Sequence, residues 1–146
     1  MKFRNTLFKL WFVLAISISA LIVAPANAQT SDVAASPAQT DQSFFKKKYR
    51  IKGTWSLVQR DGKNLITFSD DFKTKNGPDL KIFLSPKSAA DVKGKNAVDG
   101  SLNLGVLKSN KGAQEYEIPA GTDLSQFSTV LVHCEAYSIL WGGGAL

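Results

Sequence analysis

Short apolar runs with a spacing of two, broken by glycine, proline and aspartate, constrain this chain more than any other feature. Leu80, Ile82 and Leu84 alternate with Lys81, Phe83 and Ser85. Leu102, Leu104 and Val106 repeat the pattern. Val130, Val132, Cys134 and Ala136 form one side of a run whose other side is Thr129, Leu131, His133 and Glu135. Successive side chains of a strand point to opposite faces, so each run reads as a strand with at least one face in a core. After residue 28 no stretch sustains a helical period.

The punctuation agrees with this reading. Tyr49, Ile51 and the stretch Trp55 to Val58 are β-prone. Asp61-Gly62 is a hairpin signal, with Leu65 to Phe68 as the returning strand. Thr74 to Pro78 reads as a loop and Pro86 to Gly100 as a long polar loop. Gly112 marks a turn before the strand Gln114 to Ile118, and Pro119 to Gly121 ends it. Tyr137 to Trp141 runs on from the Cys134 strand and stops at Gly142-Gly143-Gly144. Many short strands with turn signals between them predict an all-β fold, an antiparallel sandwich of about seven to nine strands.

The first 28 residues carry a different pattern. Lys2, Arg4 and Lys9 precede the uncharged run Leu10 to Ala24, then Pro25 and Ala26-Asn27-Ala28. This is the three-part form of a cleavable secretory signal, and a run of about 15 residues is short for a membrane span. Gln29 is the expected first residue of an exported chain, periplasmic or secreted, with no membrane span after cleavage. Residues 29–44 are expected to be a flexible linker, since Gln29 to Gln42 has one large aliphatic, Val33. Residues 45–146 are the expected domain. Losing the signal lowers the formal charge of +6 by three. That balance does not supply the dense basic face of a nucleic-acid reader, so no nucleic-acid partner is expected.

Counting closes many sites. One cysteine, Cys134, permits no internal disulfide. With one histidine, His133, and Met1 the sole methionine, the chain cannot assemble a blue-copper centre, an iron–sulfur cluster or covalently attached haem. No metal site is expected. His133 and Cys134 are neighbours, yet on a strand they point to opposite faces, so the imidazole does not serve the thiol as a base. Cys134 itself has two readings from pattern alone: a buried core residue beside Val130 and Val132, or a reactive thiol or haem ligand.

Four segments, taken together, resemble the DM-thirteen family, the electron-transfer DM domain. They are Gly77-Pro78-Asp79-Leu80 with the strand to Leu84; Leu104 to Pro119, which holds Gly105, Lys108, Asn110, Gly112, Gln114, Tyr116 and Pro119; Asp123 to Val130 leading to Cys134; and Trp141 to Leu146. The resemblance runs from about Ile51 to Leu146 and is to an exported bacterial member. It implies an all-β domain whose characteristic cysteine maps to Cys134, acting as a bare thiol or by binding a group such as haem. His133 stands where the resemblance leads one to expect an apolar or aromatic residue. The expected function is therefore an exported redox or electron-transfer accessory, not an enzyme in its own right, with a redox protein as partner. The alternative is a non-catalytic module binding a cell-envelope polymer or protein, resting on Phe83, Tyr137 and Trp141 as exposed aromatics and on the basic start Lys46-Lys47-Lys48.

Overall fold

The computed structural model describes residues 40–146. The signal Met1–Ala28 and most of the linker lie outside the described residues. Nine strands build two antiparallel sheets: β1 (Gln42–Ser43), β2 (Phe45–Lys46), β3 (Thr54–Arg60), β4 (Lys63–Phe68), β5 (Leu80–Ser85), β6 (Leu102–Val106), β7 (Gln114–Ile118), β8 (Thr129–Cys134) and β9 (Ile139–Ala145). The first sheet has the order β1-β3-β4-β7 and the second β2-β9-β8-β5-β6. Two short 3-10 turns, at Gly94–Asn96 and Leu124–Gln126, are the only helical elements among the described residues. This is the predicted β-sandwich.

The inner faces follow the period of two. Trp55, Ile66, Phe68, Tyr116 and Ile118 from the first sheet meet Leu80, Ile82, Leu84, Val130, Val132 and Cys134 from the second. The β3–β4 hairpin turns at Asp61 and Gly62, both at positive φ, as the hairpin signal requires. Tyr49 and Ile51 form no strand; only an isolated bridge at Lys52 follows them.

The domain reaches back into the expected linker. Gln42 and Ser43 pair with Trp55 and Thr54, while Phe45 and Lys46 pair with Gly143 and Gly142 in the other sheet. Phe44, between them, turns into the core edge-on to Phe68 and Phe72, at centroid distances of 5.2 and 5.8 Å. One segment thus joins both sheets, with an aromatic ring at the crossing.

Two further expectations change, and a third gains detail. Pro86 to Gly100 is the expected long loop, and it packs on the sheet: Val92 and Ala97 are fully buried against Phe83, Leu131 and Leu140 on the outer face of the second sheet. Every residue of β8 is consequently buried. The β8 run stops at Cys134, and Glu135 to Ser138 form an exposed turn, so Ala136 is not on the strand. The glycine triplet does not end β9; it lies inside it. A Cβ on Gly144 would stand 1.8 Å from the indole nitrogen of Trp55, so the bare backbone there admits the ring.

Candidate functional site

β8 is the central strand of its sheet, flanked by β5 and β9, and Cys134 is its last residue. Cys134 pairs with Leu80 on β5 and with Ile139 on β9. Leu80 is the fourth residue of the Gly77-Pro78-Asp79-Leu80 segment, so the register sets Cys134 directly beside that motif. On β9 the register slips between Val132–Gly142 and His133–Leu140, which leaves Trp141 as an extra, bulged residue. The bulge frees the Trp141 carbonyl, which accepts from the amides of Lys47 and Tyr49 at 3.1 and 3.2 Å. The Tyr49 ring sits edge-on to the Trp141 indole, 4.5 Å between centroids. Gly77 fits against the same indole, where a Cβ would lie 2.7 Å from Cζ2. Trp141 and Phe83 are both buried, so of the three aromatics expected on the surface only Tyr137, 67% exposed, is there.

Most of the second motif gathers at this end of the sandwich. Residues 107–113 cross from β6 to β7, and a polar network fastens them. The Tyr116 hydroxyl donates to Gln114 Oε1 at 2.6 Å and accepts from the Lys108 amide at 3.0 Å. Gln114 Nε2 donates to the Ser109 carbonyl at 2.9 Å, and its Oε1 also accepts from the Ser109 amide. The Lys108 ammonium donates to the Glu115 carbonyl and lies 5.2 Å over the Tyr116 ring. Burial pushes the Tyr116 phenol up to about 12, against the opposing pull of the Lys108 amide. The Asn110 carbonyl accepts from the Thr74 amide at 2.9 Å, the Asn110 side-chain Nδ2 donates to the Thr74 carbonyl at 3.4 Å, and the Gly112 amide, at a positive φ of 83°, donates to the Phe72 carbonyl. The Leu107 amide donates to Leu80 at 2.7 Å, tying the two motifs together. Asn76 to Leu80 and Val106 to Asn110 line a recess of about 390 Å³. Pro119 stands apart, at the opposite end of β7 from Gln114.

Gly105 acts through the backbone. The β5–β6 register shifts between Ile82–Gly105 and Phe83–Asn103, so Leu104 is an extra residue, and Gly105 takes φ of 114°. The extra residue reverses the alternation. Val106, expected inward, is 60% exposed, and Leu107 packs on the core instead.

The thiol of Cys134 is enclosed, with the residue 1% exposed. His133 faces away, under the Pro86 to Gly100 segment, with Nε2 3.0 Å from the Gly94 carbonyl. Its Nδ1 is buried without a partner. Next to Cys134 in sequence, Glu135 pairs with the Lys81 ammonium, which also bridges to Asp79. The hydrogen bond to Glu135 holds it above the ordinary lysine range, with weaker opposition from burial and added support from Asp79. No group of three or more His, Cys, Asp or Glu side chains comes together among the described residues.

A haem does not fit at Cys134. A thiolate ligand must face a slot that admits the macrocycle, whereas this side chain packs among the inner-face residues of both sheets and does not line the recess beside Leu80. The buried polar atoms left without partners, on Trp55 and His133, are an indole donor packed at Gly144 and a ring nitrogen on the far face of β8. Neither forms a cradle around the sulfur.

No curated protein and no solved structure matches the chain. A family model does, over residues 43–143, and its description is Electron transfer DM13. That span begins at β1, holds both motifs and the Cys134 strand, and ends within the glycine triplet of β9, so the chain belongs to the electron transfer DM13 family.

Proposed function

We propose that this protein is an exported electron-transfer accessory whose redox group is the bare thiol of Cys134. The observation that carries this reading is the register: Cys134 ends the central strand opposite Leu80, at the end of the sandwich where the family segments converge. Thiol–disulfide exchange gives a lone cysteine a balanced route to pass electrons. Its thiolate attacks a partner's disulfide, a mixed disulfide forms, and the partner's second sulfur leaves as thiolate. With no second cysteine in the chain, a donor protein with two thiols completes the transfer: one donor thiolate attacks the Cys134 sulfur and releases the reduced partner, and the donor's second thiolate then displaces Cys134 as thiolate, leaving the donor as a disulfide.

Access comes from opening the Glu135 to Ser138 turn. All four of its residues are exposed, and Ser138 sits at φ of 50°, a conformation that costs a non-glycine residue. The alternative of a cell-envelope binding module loses most of its surface aromatics with Phe83 and Trp141 in the core.

Oxidised glutathione serves as the disulfide probe. The folded protein should form a mixed disulfide at Cys134, and Cys134→Ser should form none. Export is tested on the same material, whose first residue should be Gln29. A native protein that forms no adduct where the unfolded chain does would refute the thiol mechanism.

A further inference from the structure

Beyond Gly53 and the Ser69–Phe72 turn, the first sheet continues as a fragment of three bridged residues. Lys52 bridges Lys73, and Lys73 bridges Lys111. Lys52 and Lys73 exchange both backbone hydrogen bonds, at 2.9 and 3.3 Å. Gly112 to Phe72 and Thr74 to Asn110 bonds flank Lys73 and Lys111, which makes that pair the non-hydrogen-bonded kind, with side chains closest. Ile51, Phe72 and Thr74 are buried, so alternation turns all three lysines outward on one face, and all three are exposed.

Like charges directly opposite on a sheet destabilise it. None of the three lysines is in an ion pair among the described residues, although Arg60, Lys63, Lys81 and Lys87 all are. Arg50 and Lys75 join Lys52 and Lys73 around a recess of about 310 Å³. Asp71, which lines a recess with Lys52, accepts from Ser69, and Asp79 and Glu135 hold Lys81.

The ladder lies at the Cys134 end. It extends the start of β3, the end of β4 and the start of β7, and residues 107–113 bring that edge to the end of β6 and the start of β5, opposite Cys134. Lys75 lies 5.1 Å over the Tyr49 ring, which in turn packs on Trp141.

We infer that the lysine ladder Lys52–Lys73–Lys111, with Arg50 and Lys75, is a docking face for a protein partner bearing clustered carboxylates. This deepens the redox reading above, on which it rests, by assigning the partner's charge and its point of approach. Electron-transfer encounters are small and transient, and opposite charge speeds and orients them. An exposed ladder of unpaired ammonium groups beside the redox end supplies that steering.

The probe is a deca-glutamate peptide titrated into the whole folded domain, followed by amide chemical shifts. Shifts should centre on the ladder, and the affinity should fall about ten-fold or more as salt rises from roughly 20 to 200 mM. The triple variant Lys52→Gln, Lys73→Gln, Lys111→Gln should bind at least about ten-fold more weakly and melt no lower than the parent, since repulsion is removed. Unchanged binding in that variant, a lower melting temperature, or tighter binding to vesicles rich in phosphatidylglycerol would each overturn the proposal, the last by assigning the face to a membrane. Glutathione adduct formation at Cys134 is scored separately, so a parent protein that forms the adduct yet binds no peptide defeats the docking face alone.

Discussion

Leu80 and Cys134 stand side by side on the inner face of the second sheet, the first residue of β5 against the last of β8. The glycine-proline segment and the thiol therefore share one end of the sandwich, and what loosens that end loosens the cover over the sulfur. That end is closed by identifiable parts: the Glu135 amide bonded to the Asp79 carbonyl, the Lys81 bridge to Glu135, and the turn ending at Ser138.

The Trp55–Gly144 contact should tolerate no side chain. A Cβ at Gly144 would lie 1.8 Å from one indole atom and 2.4 Å from another, in a ring that is itself 1% exposed. Gly144→Ala should destabilise the domain by about 1–3 kcal/mol or more, as overpacking does. Gly62→Ala meets nothing within 4 Å and should cost only its backbone strain at φ of 73°, about 1–2 kcal/mol. Urea unfolding of the two variants checks the order.

Tyr116 should give the domain an alkaline limit. Its phenol ionises near 10 when unfolded, and burial in the fold raises this to about 12. The fold favours the neutral form, so this contribution is complete below pH 10 and is lost as pH climbs towards 12. Tyr116→Phe should remove that slope. At neutral pH it should cost about 1–3 kcal/mol, because Gln114 and the Lys108 amide lose a partner. Urea midpoints near pH 8 and near pH 11 test both statements.

The parts of this fold legible in sequence were those set by the period of two. The Leu80–Leu84 and Val130–Cys134 faces, the Asp61-Gly62 hairpin and the Gln114 to Ile118 strand all formed where alternation and turn chemistry placed them. The misplacements have a common cause in single-residue insertions and second-face burial. The bulge at Leu104 reversed Val106, and the bulge at Trp141 turned that ring inward. Phe83 lies on the outer face, as its alternation said, but Val92 and Ala97 cover that face from a segment polar enough to read as loop. Gly142 to Gly144 carry no side chain to show burial, and only the partner indole explains them. At the site, Cys134 and the motif residues were legible through the resemblance. The lysine ladder was not, because its three members are far apart in sequence and join through isolated bridges.

Kinetics of thiol labelling test the central claim most directly. Cys134 is 1% exposed, so a reagent reaches it either by local opening of the Glu135 to Ser138 turn or by global unfolding. Labelling should be followed from zero denaturant upwards, beside the unfolding rate measured under the same conditions. The account predicts labelling faster than global unfolding and nearly independent of denaturant at low concentration, with Cys134→Ser silent. Labelling that equals the global unfolding rate and shares its denaturant dependence would leave Cys134 a core residue and contradict the redox function.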